Sequence, residues 1–303
     1  MKRIFYAIIG LALGAAASTA SAEPLANQLF GVARSSSSQD SAAIGSYSRG
    51  CGAGLVQLPE SGPSWQAMRL SRNRNWGQPE LVQYLVDLSA GAQTLGWKGL
   101  YIGDLSMPRG GPFARGHSSH QTGLDADIWY LPPKSLRLSA NDREKISANS
   151  VRTDDQRRVN SNWTPSHHAL LRMAASDPRV DRIFVAAAIK IEMCKSAKAK
   201  DKGWLQKIRP LYGHHDHFHV RLKCPRGDRA CETQKPTVAS LSNGGNGCDA
   251  TLNWWVTTYL DGLKNPPATK PSKKKKAGPK KKNARNYVMA DLPKACRKVL
   301  ASK

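Results

Sequence analysis

The sequence predicts an α+β fold. Short strands cluster around two histidine-rich motifs, amphipathic helices lie between them, and no regular strand–helix alternation runs along the chain. Apolar residues make up 40% of the 303 residues, enough for a packed core. The chain shows no internal sequence repeat.

The first segment reads as an export signal. Lys2 and Arg3 precede an apolar run from Ile4 to Ala16, and Ala20-Ser21-Ala22 has the small-x-small form of a cleavage site. Residues 1–22 are thus expected to be removed, with Glu23 as the mature start. The run ends in small residues and is short for a membrane anchor, and no later stretch suits a bilayer span.

Residues 23–50 are small and polar, with serines from Ser35 to Ser38, and read as a loosely draped arm. Leu55 to Leu58 reads as a strand closed by Pro59. Pro79 to Leu95 reads as a helix, since Leu81, Val82, Leu85, Val86 and Leu88 fall near helical spacing and Pro79 suits a first turn. Leu100 to Leu105 follows as a strand, broken by the loop Pro108 to Pro112. Leu124 to Leu131 is the next strand, ended by Pro132-Pro133. Thr164-Pro165 opens a helix. Arg182 to Val185 reads as a strand, Ala188 to Cys194 as a helix, and Phe218 to Leu222 as a strand rich in β-branched and aromatic residues.

Composition then changes. Residues 264–286 carry Lys273 to Lys276 and Lys280 to Lys282 among prolines, which predicts an extended, solvated linker. Residues 287–303 regain apolar side chains. The expected organisation is a signal at 1–22, a main domain at 23–263, the linker, and a small C-terminal segment.

Six cysteines form an even set, and export favours pairing them. Cys224 and Cys231 suit a small looped disulfide. A Cys51–Cys296 bridge would tie the C-terminal segment down. The absence of a C-x-x-C motif argues against a thiolate metal site or a redox pair.

Lys and Arg number 46 against 22 acids, a formal charge of +24, and loss of Lys2 and Arg3 lowers it by two to +22. Charge of this size bears on partners rather than fold. In an exported chain it points to anionic envelope polymers or a carboxylate-bearing substrate and away from nucleic acid. The Lys run is expected to hold the protein near such material.

Six of the eight histidines fall in two groups, Gly116-His117-Ser118-Ser119-His120-Gln121-Thr122-Gly123-Leu124-Asp125-Ala126-Asp127 and Gly213-His214-His215-Asp216-His217-Phe218-His219. On a strand, residues two apart share a face. His217 and His219 should project together with Phe218 turned into the core, and Asp125 and Asp127 should share a face likewise. Two imidazoles and one carboxylate fit a catalytic zinc site, which keeps three protein ligands and a water position. The surplus of His and Asp favours catalysis over a metal-scavenging patch. His167 and His168, at a helix start without clustered partners, read as structural.

The pattern S-x-H-x-x-G-x-x-x-D, from Ser118 to Asp127, with the H-x-H of His217 and His219, resembles zinc peptidases of the lysostaphin, D-Ala-D-Ala peptidase and Hedgehog-type group. Met68 to Gly77, Gly103 to Pro112, Gly116 to Trp129 and Gly213 to Leu222 are similar to the penicillin-insensitive murein endopeptidase family. This resemblance implies a central, mainly antiparallel sheet flanked by helices. It implies zinc held by His120, Asp127 and His219, with His117, His214 and His217 lining the site. It also implies disulfides Cys51–Cys296, Cys194–Cys248 and Cys224–Cys231, a periplasmic location, and cleavage of D-alanyl–meso-diaminopimelyl cross-links in peptidoglycan. The family allows a homodimer.

His217, two residues from an expected ligand, is the expected general base, and no Glu occupies an equivalent place. His214 and His117 remain alternatives for holding the oxyanion or protonating the leaving amine. Asp125 and Asp216 are expected to orient imidazoles. Arg69, Arg72, Arg74, Arg109 and Arg115 are candidates for substrate carboxylates. A carboxypeptidase or dipeptidase of the same group, a non-catalytic zinc-dependent wall-binding protein, and a basic nucleic-acid-binding protein are the competing readings.

Overall fold

The structure is a computed structural model and describes residues 23–265 and 282–302. The expected signal at 1–22 and the larger part of the expected linker, 266–281, lie outside the described residues. Among the described residues there are ten strands: β1 (Ala42–Ser46), β2 (Arg49–Ala53), β3 (Val56–Gln57), β4 (Trp65–Ala67), β5 (Trp76–Gly77), β6 (Leu100–Ile102), β7 (Asp125–Trp129), β8 (Val180–Val185), β9 (Ile208–Pro210) and β10 (His217–Leu222). Six of them form one sheet in the order β4-β6-β7-β10-β8-β9.

The sheet is mixed, where a mainly antiparallel one was expected. β6–β7, β7–β10 and β10–β8 are antiparallel, but β4–β6 and β8–β9 are parallel. Each parallel pair is joined through helix: Pro79–Gln93 lies between β4 and β6, and Ala187–Cys194 between β8 and β9. Such a crossover returns the chain in the same direction.

Alternation along β7 and β10 divides the two faces of the sheet. Ala126, Ile128, Phe218 and Val220 are fully buried in the main core, against Leu81 and Leu85 of one helix and Leu170 and Leu171 of Pro165–Ser176. Asp125, Asp127, His217 and His219 take the intervening positions. His219 pairs directly with Asp127, and His217 with Trp129. A one-residue slip would exchange the two sets, so burial of the apolar set fixes the polar one.

The expectation of a loose arm at 23–50 is overturned. Ala26–Gly31 is helical, and β1 and β2 form a hairpin. Ala26, Phe30, Ile44 and Cys51 make a second core with Met289, Leu292, Cys296 and Val299. Asn27 Nδ2 donates to the Arg285 carbonyl at 2.6 Å, and the Ala26 N–H to the Tyr287 carbonyl at 2.7 Å. The arm is ordered by partners some 260 residues away, which local composition does not reveal.

All three disulfides are formed: Cys51–Cys296, Cys194–Cys248 and Cys224–Cys231. The first ties the helix Ala295–Ala301 to β2 across 245 residues. No described helix is long and apolar enough to cross a membrane.

Candidate metal centre

β7 and β10 supply half the site, and the loop before β7 supplies the rest. Gly123 has φ +76°, a conformation that strains an L side chain, and a Cβ there would lie 3.1 Å from the Gln78 backbone nitrogen, so glycine suits this turn. His120 itself adopts φ +68°, an uncommon conformation for a non-glycine residue. The surroundings enforce it. Its N–H donates to Asp125 Oδ2 at 2.9 Å, and its ring stacks on Phe113 with centroids 5.7 Å apart. Gln121 Nε2 pins the same loop by donating to the Ser48 and Ser118 carbonyls at 2.8 and 2.9 Å.

His117, His120, Asp127 and His219 each offer a ligand atom, and these atoms lie within 4.8 Å of one another. Asp127 Oδ1 is 3.3 Å from His219 Nδ1 and 3.5 Å from His120 Nε2, and Asp127 Oδ2 is 3.0 Å from His117 Nε2. Donors held about 2.0–2.2 Å from a tetrahedral metal are separated by roughly 3.3–3.6 Å. Both ring nitrogens of His120, Asp127 Oδ1 and His217 Nε2 are buried without a hydrogen-bond partner. Buried polar atoms left unpaired are costly, and a cation between Asp127 Oδ1 and His120 Nε2 removes that cost for the two atoms it joins. The residues therefore fit a metal by geometry and by unmet bonding capacity.

Carboxylates orient the rings. Asp125 Oδ1 lies 3.1 Å from His219 Nε2, leaving Nδ1 directed to Asp127. Arg221 grips Asp125 through Nε and Nη2 at 2.7 and 3.0 Å. Asp216 Oδ1 is 2.7 Å from His217 Nδ1. His217 Nε2 then faces Asp127 Oδ1 at 3.7 Å.

The electrostatics separate the histidines. Asp127 draws a proton toward His117, but burial and the neighbouring His120, His219 and His217 outweigh it, leaving the pKa at about 4. Burial, then His219 and His217, lower His214 to about 3. Both rings are neutral at pH 7. For His217, burial opposes protonation, but Asp127 and Asp216 overcome it and raise the pKa. Burial likewise opposes ionisation of Asp127, yet His120, His117 and His217 hold it well below the usual carboxylate range.

The site opens on two sides. One cavity of about 240 Å³ is lined by Arg72, Asp104, His117, Trp129, Asp216 and His217. A second, of about 400 Å³, is lined by His117, Phe184, Leu211, His214, His219 and Gln234. His117 lies between them. A peptide laid across both would pass His117.

The sequence-predicted residues His117, His120, Asp127, His214, His217 and His219 thus converge. His167 lies elsewhere and is structural: its Nδ1 accepts from the Thr164 N–H and its Nε2 donates to the Tyr130 carbonyl at 2.8 Å. The candidate arginines divide. Arg69 holds the carbonyls of Arg143, Glu144 and Ile146, and Arg109 those of Ser35, Val299 and Leu300. Arg74 packs over Phe113 and pairs with Asp104 at 2.8 Å. Arg72 lines the cleft with 47% of its side chain exposed, 3.1 Å from Asp104. Sequence reasoning missed Asp104, which lies outside both histidine groups. Only its place in the Gly103 to Pro112 stretch marked it.

Residues 43–301 match a family described as penicillin-insensitive murein endopeptidase. The chain is 43% identical over 212 residues to a protein of that name from Haemophilus influenzae, covering 70% of this chain and 72% of that one. It is 40% identical over 234 residues to the one from Klebsiella pneumoniae subsp. pneumoniae, covering 76% and 83%. It is 41% identical over 231 residues to the one from Escherichia coli O157:H7, covering 76% and 80%.

Proposed function

The chain belongs to the penicillin-insensitive murein endopeptidase family, and from that premise we propose that it hydrolyses peptide cross-links of murein with zinc held by His120, Asp127 and His219. The observation that carries the reading is the set of buried, unpaired His and Asp atoms at the floor of a two-sided cleft. The scissile bond is the D-alanyl–meso-diaminopimelyl amide. The site of action is the periplasm, reached through the signal at 1–22, and the catalytic unit is 23–263 with 287–303 tied back to it.

When bound, zinc supplies a polarising charge and brings the pKa of a coordinated water to about 7. The chain's own residues do the rest. His217, fixed through Nδ1 by Asp216, presents Nε2 toward Asp127 and takes the proton of the attacking water. Neutralising Asp127 removes one support of its raised pKa and brings the ring toward the accepting form. His117 and His214, neutral and on the cleft walls, are placed to donate an N–H hydrogen bond to the developing oxyanion, and the proton taken up by His217 is the one passed to the leaving amine. Arg72 is the guanidinium placed to meet a stem carboxylate. No serine acyl-enzyme is involved, so β-lactams have nothing to acylate.

The test is a defined cross-linked dimer muropeptide with the mature protein, with and without chelator, and products identified by mass. Conversion to two monomers that stops with chelator and returns with zinc is expected. Free D-alanine would make the protein a carboxypeptidase. A folded, zinc-loaded sample that cuts nothing would make it a wall-binding protein.

A further inference from the structure

Tyr212 carries the cleft outward onto an aromatic shelf. Its carbonyl lies 3.1 Å from Nδ1 of His214 in the cleft wall, while its ring lies 6.0 Å from that of Tyr259. Tyr259 packs at 5.2 Å against both Trp254 and Trp255, which meet each other at 5.3 Å. The helices carrying these rings, Thr251–Val256 and Thr258–Lys264, are anchored by buried Leu252 and Leu260 and by Arg157, which pairs with Asp261 at 2.8 Å. Despite this anchoring, Tyr212 is 52% exposed and Trp254 47%. Scattered exposed leucines need no explanation, but a contiguous exposed aromatic surface points to a ligand.

Leu211 lines both the cleft and the hollow between Tyr212, Trp255 and Tyr259, so the two surfaces are continuous. Behind the rings, Arg152 and Gln156 close this hollow, which at about 20 Å³ admits no more than a water, and bond to each other at 2.9 Å, so they brace the shelf from behind.

Flat, rigid, exposed rings suit a sugar. A pyranose offers a C–H face to an aromatic ring and hydroxyl or acetamido oxygens at its rim. A protein partner held stably would need roughly 1,200–2,000 Å² of buried surface, much more than a few rings provide. Murein stems are joined to a strand of N-acetylated hexosamines, so a stem seated in the cleft brings that strand alongside. We infer that Tyr212, Trp254 and Tyr259 form a saccharide subsite that holds the glycan strand while the peptide cross-link lies in the cleft. This rests on the murein reading above for the identity of the sugar.

The experiment measures binding of peptide-free murein glycan strands to the whole protein by calorimetry, for the native chain, Trp254→Ala and Trp254→Phe. Cleavage of a glycan-free cross-linked peptide and of intact murein is measured alongside. The native chain should bind the strands, Trp254→Ala about five-fold more weakly, and Trp254→Phe nearly as well as native. Trp254→Ala should cut the free peptide at the native rate and show a raised KM on intact murein only. No binding by the native chain, or equal binding and equal KM in Trp254→Ala, overturns the subsite. Glycan binding by a protein that cuts no peptide would leave the subsite standing and overturn the hydrolase reading instead.

Discussion

Asp125 Oδ1 stands 3.1 Å from His219 Nε2, while Asp125 Oδ2 accepts the backbone N–H of His120 at 2.9 Å. One carboxylate thus positions two of the three expected ligands, and Arg221 holds that carboxylate through two contacts. Burial opposes the charge of Asp125, but Arg221 and His219 outweigh it and keep its pKa low. Asp125→Asn keeps the size of the side chain and turns one acceptor into a donor facing Arg221 or His219. Metal affinity should fall about 10- to 100-fold, the usual effect of losing such a partner. Competition against a calibrated chelator measures it, and unchanged affinity would remove Asp125 from this role.

His217 and His219 sit two residues apart on β10 and should fail differently. His219→Ala removes an expected ligand, so both metal content and turnover should be lost. His217→Ala removes the proposed base and leaves His120, Asp127 and His219 in place. It should retain about one metal per chain and lose roughly 10²- to 10⁴-fold in turnover. Elemental analysis with single-turnover kinetics separates the two cases. Near-native turnover in His217→Ala would move the base assignment elsewhere.

The legible part of this protein was what short-range periodicity encodes. Phe218 between His217 and His219, and Ala126 between Asp125 and Asp127, announce a sheet with one apolar and one polar face. The structure has that division. The site residues came into view because both histidine groups are local in sequence. What stayed hidden depends on distant partners. The serine-rich arm looks unstructured until Phe30 meets Val299 and Met289. The candidate arginines look equivalent until Arg69, although it lines the cleft beside Arg72, and Arg109 are seen to be occupied by carbonyls, while Arg72 keeps 47% of its side chain exposed. The parallel edges of the sheet were illegible for the same reason, since helix positions do not say which strand follows which in space.

Cys51–Cys296 should matter to stability more than to the metal site. It closes the largest of the three loops and fastens the second core, which meets the metal site through Phe113, stacked on the His120 ring, and not through Asp127 or His219. Replacing both cysteines by alanine should cost about 2–5 kcal/mol in denaturant unfolding. Metal stoichiometry should be kept, because the expected ligands are held by β7, β10 and the loop pinned by Gln121. Loss of metal at a concentration of denaturant where the fold persists would show that the second core shapes the site directly.

Lys190 makes a pH prediction away from the metal. It is fully buried in the helix Ala187–Cys194, and its Nζ donates to the carbonyls of Leu205 and Asn246 at 2.7 and 2.9 Å. Burial, with Arg209 adding to it and Asp249 opposing, lowers its pKa from 10.5 to about 7. Between those two values the unfolded chain keeps a proton that the native chain releases. Native stability therefore gains from Lys190 as pH rises through this window, by up to about 1.4 kcal/mol per pH unit. Below pH 7 both states are protonated, and the cost of the buried charge is carried in full. Lys190→Met removes the titration while leaving every other group in place. The stability of the native chain relative to Lys190→Met should therefore rise from pH 7 to 9, as urea unfolding of both with disulfides intact would measure. Parallel stability curves would mean that Lys190 stays charged in the fold, its two carbonyl bonds and Asp249 offsetting burial.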